Sequence, residues 1–271
     1  MMERKVVVVT GAAMGIGRHI AHSFAQERAK LVLVDIASLD KVSIELRESG
    51  VEALALNADV GDEAQVESVV SRVISEFGAI EVWVNNAGIV PRFSWGIPRW
   101  PRISEMTKDY WDSVIGTNLG GTFLCTKHVL PHMEGKRAGH IINLHGGGGV
   151  GSTATSYVVT KDAIRTFTRY AAGEVKDSDV CVVAIAPGGA IATENAPEEA
   201  RARLPRPRIL AKRLCTGGPT ADRTLWRDPA TPKWRIGGSA LVGARGRPQL
   251  QAARLDRFQA GGIVRRDHTL R

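Results

Sequence analysis

Cysteine is scarce in this sequence, and its spacing excludes two kinds of site. Cys125, Cys181 and Cys215 lie far apart among 271 residues, and no Cys-x-x-Cys pair occurs. An odd number of widely spaced cysteines is not typical of a disulfide framework or of a structural zinc site. We therefore expect no metal site, and we expect the protein to work in the reducing cytoplasm.

Long apolar runs are absent as well. No stretch approaches the roughly 18 apolar residues that a membrane-spanning helix needs. The apolar segment nearest the start, Val6–Val9, is too short for a signal peptide, and no cleavage site follows it. The sequence thus predicts neither a membrane span nor a secretory signal, and 44% hydrophobic residues suffice for a sizeable core.

Glutamate is missing from the last quarter of the chain. Residues 201–271 hold 15 Arg and 2 Lys against 4 Asp, a formal charge of +13, whereas residues 1–200 hold 19 basic and 24 acidic residues, a charge of −5. Two explanations of this Arg-, Pro- and Gly-rich segment stay open. The first is that the segment results from a reading-frame change in a GC-rich gene. The second is that it is a genuine extension that binds nucleic acid nonspecifically through phosphates. The second is the weaker explanation, because no binding module is recognisable.

The first 190 residues alternate between strand-like and helix-like patterns. Such alternation predicts a doubly wound, Rossmann-type α/β fold, with helices on both faces of a parallel sheet. We expect one catalytic domain at residues 1–204, followed by an atypical segment at 205–271. The predicted strands are Lys5–Thr10, Lys30–Ile36, Glu52–Val60, Glu81–Val84, Gly139–Leu144 and Val180–Ala186, and helical patterns follow the first strand and cover Asp62–Phe77, Asp109–Met133 and Ser156–Val175.

A glycine-rich turn follows the first predicted strand. It reads Thr10-Gly-Ala-Ala-Met-Gly-Ile-Gly17, and a helical pattern begins directly after it. Glycines in this context allow a tight turn and a close backbone approach to a pyrophosphate, which the helix amino terminus then binds. The turn therefore predicts a dinucleotide site.

Asp35 closes the second predicted strand, 18 positions after Gly17. A carboxylate there accepts hydrogen bonds from the ribose hydroxyls of the adenosine and repels the additional phosphate of NADP. The position favours NAD as the cofactor. Arg18 is a counter-indication, because a guanidinium at this point attracts a phosphate.

Several motifs resemble the short-chain dehydrogenase/reductase family over residues 4 to about 200; the last 66 or so residues do not match it. They are Thr-Gly-x-x-x-Gly-x-Gly, Asn57-Ala-Asp-Val60, Asn85-Asn-Ala-Gly88, Asn118, Tyr157-x-x-x-Lys161 and Pro187-Gly188. The resemblance implies that Asp59 and Val60 flank the adenine and that Asn86, Ala87 and Gly88 line the groove near the adenosine ribose. It implies a set of cofactor-binding residues, namely Gly11, Met14, Gly15, Ile16, Gly17, Asp35, Asp59, Val60, Asn86, Ala87, Gly88, Tyr157, Lys161, Pro187 and Gly188.

Tyr157 and Lys161 are candidate catalytic residues, because residues four apart share one face of a helix. A nearby ammonium favours the phenolate, so we expect Lys161 to lower the pKa of Tyr157 and to make it a general acid or base. The resemblance implies that the lysine also holds the nicotinamide ribose and that Asn118 orders a water in the proton relay. The implied reaction interconverts a secondary alcohol and a ketone, and the family's dimers or tetramers, formed through helices including the Tyr157 helix, imply a homo-oligomer.

One position departs from the family pattern. The family places a serine just after the fifth strand, where this chain has Gly146 preceded by His145. Three explanations stay open. His145 donates the missing hydrogen bond, Ser152 or Thr153 reaches back into the site, or nothing replaces the serine and turnover is weak. The last case would leave a cofactor-binding protein without useful catalysis.

The segment Pro91–Ile103 interrupts the alternation with three prolines and three bulky aromatic side chains. It is either a surface loop or one wall of a pocket for an apolar, cyclic substrate, because it follows the carboxyl end of a strand. His128 and His132 have a spacing that suits a metal on a helix. Pro131 between them and the absence of a nearby third ligand favour surface histidines instead.

Overall fold

The computed structural model describes residues 2–146, 154–187 and 193–194. Six strands form one parallel sheet in the order β3-β2-β1-β4-β5-β6. This arrangement confirms the predicted fold class. The strands are β1 Val6–Thr10, β2 Lys30–Asp35, β3 Ala53–Asn57, β4 Val82–Asn85, β5 Gly139–Leu144 and β6 Val180–Ile185.

Helices connect the strands and cover both faces of the sheet. Their bounds are α1 Gly15–Gln26, α2 Asp40–Glu48, α3 Glu63–Phe77, the single turn α4 Pro91–Ser94, α5 Lys108–Ile115, α6 Gly121–Lys136 and α7 Thr155–Glu174. A short 3-10 turn lies at Ile103–Glu105, and a π-helical turn, Gly116–Gly120, joins α5 to α6.

The side chains of β1 alternate between two hydrophobic layers, because successive strand residues point to opposite faces. Val7 and Val9 pack with residues of α1 and α2, including Phe24. Val6 and Val8 belong to the opposite layer with α3, α6 and α7. The sheet is therefore buried on both faces, as the Val-rich first strand predicts.

The main difference from the sequence prediction is α2, which the hydrophobic pattern did not reveal. The third strand is also shorter than the predicted Glu52–Val60, and it lies at the edge of the sheet, where most of its residues are partly exposed. The predicted helical stretch Asp109–Met133 divides into α5, the π-helical turn and α6.

The basic segment at 205–271 and the domain boundary near residue 204 lie outside the described residues. Among the helices that the structure describes, none combines the length and the apolar character needed to span a bilayer.

Candidate active site

A crevice for a ligand is expected where the strand order reverses. β1 lies between β2 and β4, so the chain connections from β1 and β4 leave the carboxyl edge of the sheet in opposite directions. Ligands of doubly wound sheets bind at this point. The glycine-rich turn, the end of β2 and the segment after β4 all lie at this edge.

The glycines of the turn are required by close backbone contacts. A Cβ on Gly17 would lie 2.0 Å from the Gly11 carbonyl oxygen, and a Cβ on Gly11 would lie 2.7 Å from the Ala87 Cα. Gly11 also adopts a φ of 65° and Gly15 a φ of 59°, which L side chains rarely adopt. The turn therefore needs glycine at these positions before any ligand is considered.

Asn86 and Thr10 hold the turn against the segment after β4. The Asn86 Nδ2 donates to the carbonyl oxygens of Thr10 at 2.9 Å and Gly11 at 3.0 Å. The Thr10 Oγ1 accepts from the backbone N–H groups of Asn86 and Ala87, each at 3.1 Å. The Asn86 amide thus stabilises the conformation of the turn, a role that the sequence motif did not specify.

The amino terminus of α1 already binds an anionic group. Its cap residue, Met14, provides no side-chain hydrogen bond and is half exposed, while Ile16 packs against the core. The N–H of Gly15 instead donates to the Glu194 carboxylate at 2.8 Å. A carboxylate at this N–H shows that the amino terminus of α1 accommodates an anionic group, as the free N–H groups and the dipole of a helix end favour.

Asp35 lies beside the same turn. Its carboxylate accepts hydrogen bonds from the backbone N–H of Ala13 at 2.9 Å and of Ala37 at 3.0 Å. A carboxylate has further lone pairs for ribose hydroxyls. Asp59 and Val60 follow the neighbouring strand β3. Asp59 is partly exposed, and Val60 is buried against Gly121.

Asn118 is fully buried in the π-helical turn between α5 and α6. It exchanges two hydrogen bonds with Ile89: its Oδ1 accepts from the Ile89 N–H at 2.6 Å and its Nδ2 donates to the Ile89 carbonyl at 3.1 Å. The Nδ2 also donates to the Thr160 Oγ1 of α7 at 3.2 Å. Asn118 thereby joins the segment after β4 to the Tyr157 helix.

Lys161 is buried next to this junction. Its Nζ donates to the Leu144 carbonyl at 3.1 Å, and a Cβ on Gly88 would lie 3.7 Å from the Nζ and 3.1 Å from the Asn118 Oδ1. Gly88, Asn118 and Lys161 are therefore close together, although the resemblance placed Gly88 near the adenosine ribose and Lys161 at the nicotinamide ribose. Burial lowers the pKa of the Lys161 ammonium to about 8.

Tyr157 is adjacent to Lys161, whose Nζ lies 5.7 Å from the centre of the tyrosine ring. The expectation that the ammonium lowers the pKa of Tyr157 is wrong for this structure, because burial raises that pKa. The Lys161 Nζ is directed to the Leu144 carbonyl, and the desolvation of the phenol dominates. The tyrosine is accordingly a neutral acid at neutral pH.

The aromatic segment after β4 reaches Tyr157. The Trp100 ring lies 6.2 Å from the Tyr157 ring, and Trp95 packs edge-on against Tyr110 at 5.1 Å. A cavity of about 520 Å³ next to these rings is lined by Ile97, Pro98, Arg99, Pro101, Glu105 and Tyr110. Phe93 is 49% exposed, so the segment is partly surface loop and partly wall.

Comparison with known proteins shows the family. The family model described as short chain dehydrogenase matches residues 5–203. The chain belongs to the short-chain dehydrogenase family. Among its relatives, the 3-oxoacyl-[acyl-carrier-protein] reductase FabG of Staphylococcus aureus is 37% identical over 193 residues, which cover 69% of this chain and 75% of the relative.

The chain is also similar to a further curated relative and to two solved structures of short-chain oxidoreductases. The cis-4-hydroxycyclohexanecarboxylate dehydrogenase of Sinomonas cyclohexanicum is 38% identical over 187 residues, covering 68% of this chain and 72% of the relative. The crystal structure of levodione reductase has a TM-score of 0.69 and 30% identity and covers 78% of this chain and 89% of its own. A metagenomic short-chain oxidoreductase solved with NADP has a TM-score of 0.66 and 27% identity, covering 79% and 90%.

Gly146 stands at the family's serine position with a φ of 116°, which L side chains rarely adopt. A Cβ there would lie 3.3 Å from the Pro187 Cδ. His145 is partly buried next to it, and burial, Arg165 and Lys161 together lower the pKa of its imidazole. Ser152, Thr153 and Gly188 lie outside the described residues.

A network of buried amides and hydroxyls beneath the site was not found from the sequence. Asn85 at the end of β4 donates through its Nδ2 to the Asn143 Oδ1 of β5 at 2.8 Å, and Asn143 donates to the Thr168 Oγ1 of α7 at 2.9 Å. The signal was present, because both asparagines interrupt otherwise apolar strands near their carboxyl ends. The network fixes α7, and hence Tyr157, against the sheet.

The two spaced histidines of α6 do not converge on a common ligand. His128 Nε2 lies 3.0 Å from the Glu63 carboxylate of α3, while the pKa of His132 is lowered by burial and by Lys136. Within the part of the chain that the structure describes, no cluster of three His, Cys, Asp or Glu side chains could hold a metal ion.

Proposed function

We propose that the protein interconverts a secondary alcohol and a ketone by hydride transfer with NAD(H), in a catalytic domain at residues 1–204. One observation carries the proposal: Tyr157 lies next to both the buried Lys161 and the Trp100 ring, on the helix that follows the carboxyl end of β5. The relatives named above are reductases and dehydrogenases, and they give no support to a non-catalytic or a nucleic-acid-binding function.

Asp35 supports the choice of NAD over NADP. Its carboxylate accepts from the Ala13 N–H of the glycine-rich turn, so a negative charge lies beside the expected adenosine ribose. Ribose hydroxyls would donate to this carboxylate, whereas a 2′-phosphate would be repelled. The NADP in the metagenomic structure belongs to that protein, and its chain is 27% identical to this one.

When bound, the nicotinamide supplies the hydride acceptor or donor at the reacting carbon. Tyr157 would donate a proton to the carbonyl oxygen in the reductive direction and would accept the hydroxyl proton in the oxidative direction. Because burial raises the pKa of Tyr157, the neutral phenol, which is the proton donor in reduction, is the form present near neutral pH. Lys161 would hold the ribose hydroxyls, and Asn118 would anchor the proton relay.

His145 is the best candidate for the hydrogen bond that serine supplies elsewhere in the family. Its lowered pKa leaves a neutral imidazole at pH 7, with one N–H to donate. The strained φ of Gly146 means that a serine side chain does not fit this backbone without a shift.

The proposed substrate is apolar and cyclic. The Trp100 ring lies 6.2 Å from the Tyr157 ring. The neighbouring cavity is bordered by two prolines, an isoleucine and a tyrosine, and by the Arg99–Glu105 pair, whose charges neutralise each other. Aromatic and apolar walls favour a substrate with a hydrocarbon ring. The hydroxycyclohexanecarboxylate named for one relative is consistent with this choice.

The test is NADH formation from NAD⁺ with a panel of cyclic and open-chain secondary alcohols, compared for the native chain, Tyr157→Phe and Tyr170→Phe. Tyr170 is the matched control, since it lies on the same helix and is 66% exposed. We expect Tyr157→Phe to lose activity by about 10²–10⁴-fold, because the proton donor is gone, and Tyr170→Phe to keep it. A native chain that oxidises none of the alcohols and gains no thermal stability from NAD⁺ would refute the proposal.

A further inference from the structure

Arg18 is a cation at the border of the glycine-rich turn. Its backbone N–H bonds to the Met14 carbonyl at 3.3 Å, which places it in the first turn of α1. Its Nη1 lies 3.6 Å from the Glu194 oxygen that also accepts from the Gly15 N–H at 2.8 Å. The guanidinium therefore reaches the same anion-binding end of the helix, and Asp35 borders the turn through Ala13.

Glu45 of α2 engages this guanidinium with both carboxylate oxygens. The Arg18 Nε donates to one oxygen at 2.7 Å, and the Arg18 Nη2 donates to the other. His22 lies 3.0 Å from the same carboxylate. Burial alone would raise the pKa of Glu45, but the hydrogen bonds from Arg18 and His22 hold that pKa below its ordinary value.

The pairing decides what Arg18 can bind. A guanidinium recognises a phosphate through two parallel N–H groups, and the same two-pronged geometry is used here for a carboxylate. The side chains of Arg18 and Glu45 are only 21% and 25% exposed, so solvent weakens the pair less than it would at an open surface. A 2′-phosphate would have to displace Glu45 to gain Arg18, and it would also meet the Asp35 carboxylate.

We propose that Glu45 is a coenzyme-selecting residue, which withholds Arg18 from the 2′-phosphate of NADP and leaves recognition of the adenosine ribose to Asp35. The inference rests on the proposed NAD-dependent function. It assigns a specificity role to a helix that contributes no predicted site residue, and it removes the counter-indication that Arg18 presents in the sequence.

The experiment compares dissociation constants for NAD⁺ and NADP⁺, measured by calorimetry at low ionic strength, in the native chain and in Glu45→Gln and Glu45→Ala. We expect both variants to bind NADP⁺ about tenfold more tightly, the value of one restored charge-assisted hydrogen bond, while NAD⁺ binding changes less than about twofold. Glu48→Gln is the matched control, because it removes an exposed acidic side chain from the same helix and should leave both constants unchanged.

The decisive control is the same substitution in an Arg18→Gln background, where the gain in NADP⁺ binding should disappear. A role confined to packing α1 against α2 would change the binding of both coenzymes equally, and that result would overturn the inference. An unchanged dissociation constant for NADP⁺ in the Glu45 variants would also overturn the inference. The same holds for a gain in NADP⁺ affinity that persists in the Arg18→Gln background. If the native chain binds neither coenzyme, the proposed function itself fails; if it binds NAD⁺ but Glu45 has no effect on selectivity, only this inference does.

Discussion

Lys161 is a buried cation that opposes the stability of the fold. Its ammonium is buried, and burial lowers its pKa to about 8. In the unfolded chain the same group has a pKa of about 10.4, so below pH 8 the folded protein carries a buried charge at a free-energy cost. Natural active sites often retain such destabilising groups because the chemistry needs them.

Replacing Lys161 by methionine should therefore stabilise the fold and abolish turnover. We expect the free energy of unfolding at pH 7 to rise by about 1–2 kcal/mol, after allowance for the lost hydrogen bond to Leu144. The measurement is urea denaturation of both proteins across pH. As the pH rises from 8 towards 10.4, Lys161 loses its proton in the folded native protein but keeps it in the unfolded chain. The difference in the free energy of unfolding between Lys161→Met and the native protein should therefore shrink over that window. A variant that is less stable at pH 7, or a difference independent of pH, would contradict this account.

The residues with the most specific spacing were those that the sequence located best. Tyr157, Lys161 and Asn118 were named from motifs, and the structure places all three around α7 and the segment after β4. Glu45 and Glu194 were not found, because each acts through a partner that is distant in sequence, 27 positions away for Arg18 and 179 for Gly15. The pKa of Tyr157 was also misjudged, since burial depends on tertiary packing that the spacing of two residues does not report.

At the scale of the elements, the asparagines near the ends of β4 and β5 connect the sheet to α7, the helix that carries Tyr157. Asn85 and Asn143 occupy paired positions in adjacent strands, and both are buried. Removing one breaks the hydrogen bond between the two amides and leaves the partner with one fewer hydrogen bond in a place that water does not reach, which costs about 1–3 kcal/mol. The pair should therefore behave as a unit.

A double-mutant cycle on Asn85→Ala and Asn143→Ala should reveal this coupling. We expect each single substitution to lower the free energy of unfolding by about 2–3 kcal/mol and the double substitution to cost at least about 1 kcal/mol less than the sum. Urea denaturation supplies the values. Asn57→Ala serves as the control partner, because Asn57 is an exposed asparagine of β3 that bonds to Ala37, and its effect should add to that of Asn143. Strict additivity of the buried pair would refute the coupling.

Some strands and helices are easier to predict from the sequence than others. Strands β1 and β2 are nearly continuous runs of buried Val and Leu, so their bounds were predicted to within a residue. Helix α2 has nine residues, of which Val42 and Leu46 are buried while Ile44 is 51% exposed, so its apolar stripe was too short to recognise. Such a helix owes its stability to packing on the sheet rather than to its own pattern.

At the scale of the whole molecule, an apolar surface on α6 and α7 points to self-association. Val159 and Tyr170 are 42% and 66% exposed and, 11 residues apart, lie on the same face of α7. Phe123 of α6, which is 47% exposed, packs edge-on against Phe167 of α7 at 6.4 Å. Large exposed apolar side chains on one face favour contact with a protein partner. We expect this partner to be a second copy of the chain, because members of the family form homo-oligomers.

We accordingly expect a homo-oligomer that Tyr170→Asp and Val159→Asp, introduced together, dissociate. Two carboxylates on each copy would face each other across a symmetric interface, where burying an unpaired charge is unfavourable. Light scattering after size-exclusion chromatography measures the mass, to which each chain contributes 29.2 kDa. The control is Ile44→Asp, which places a charge at an exposed apolar position of α2, on the opposite face of the sheet, and should leave the mass unchanged. If the native chain is monomeric, or if the charged variant retains the oligomeric mass, the surface on α6 and α7 must serve another contact, and Tyr157 would then be oriented by its own protomer's network of buried asparagines alone.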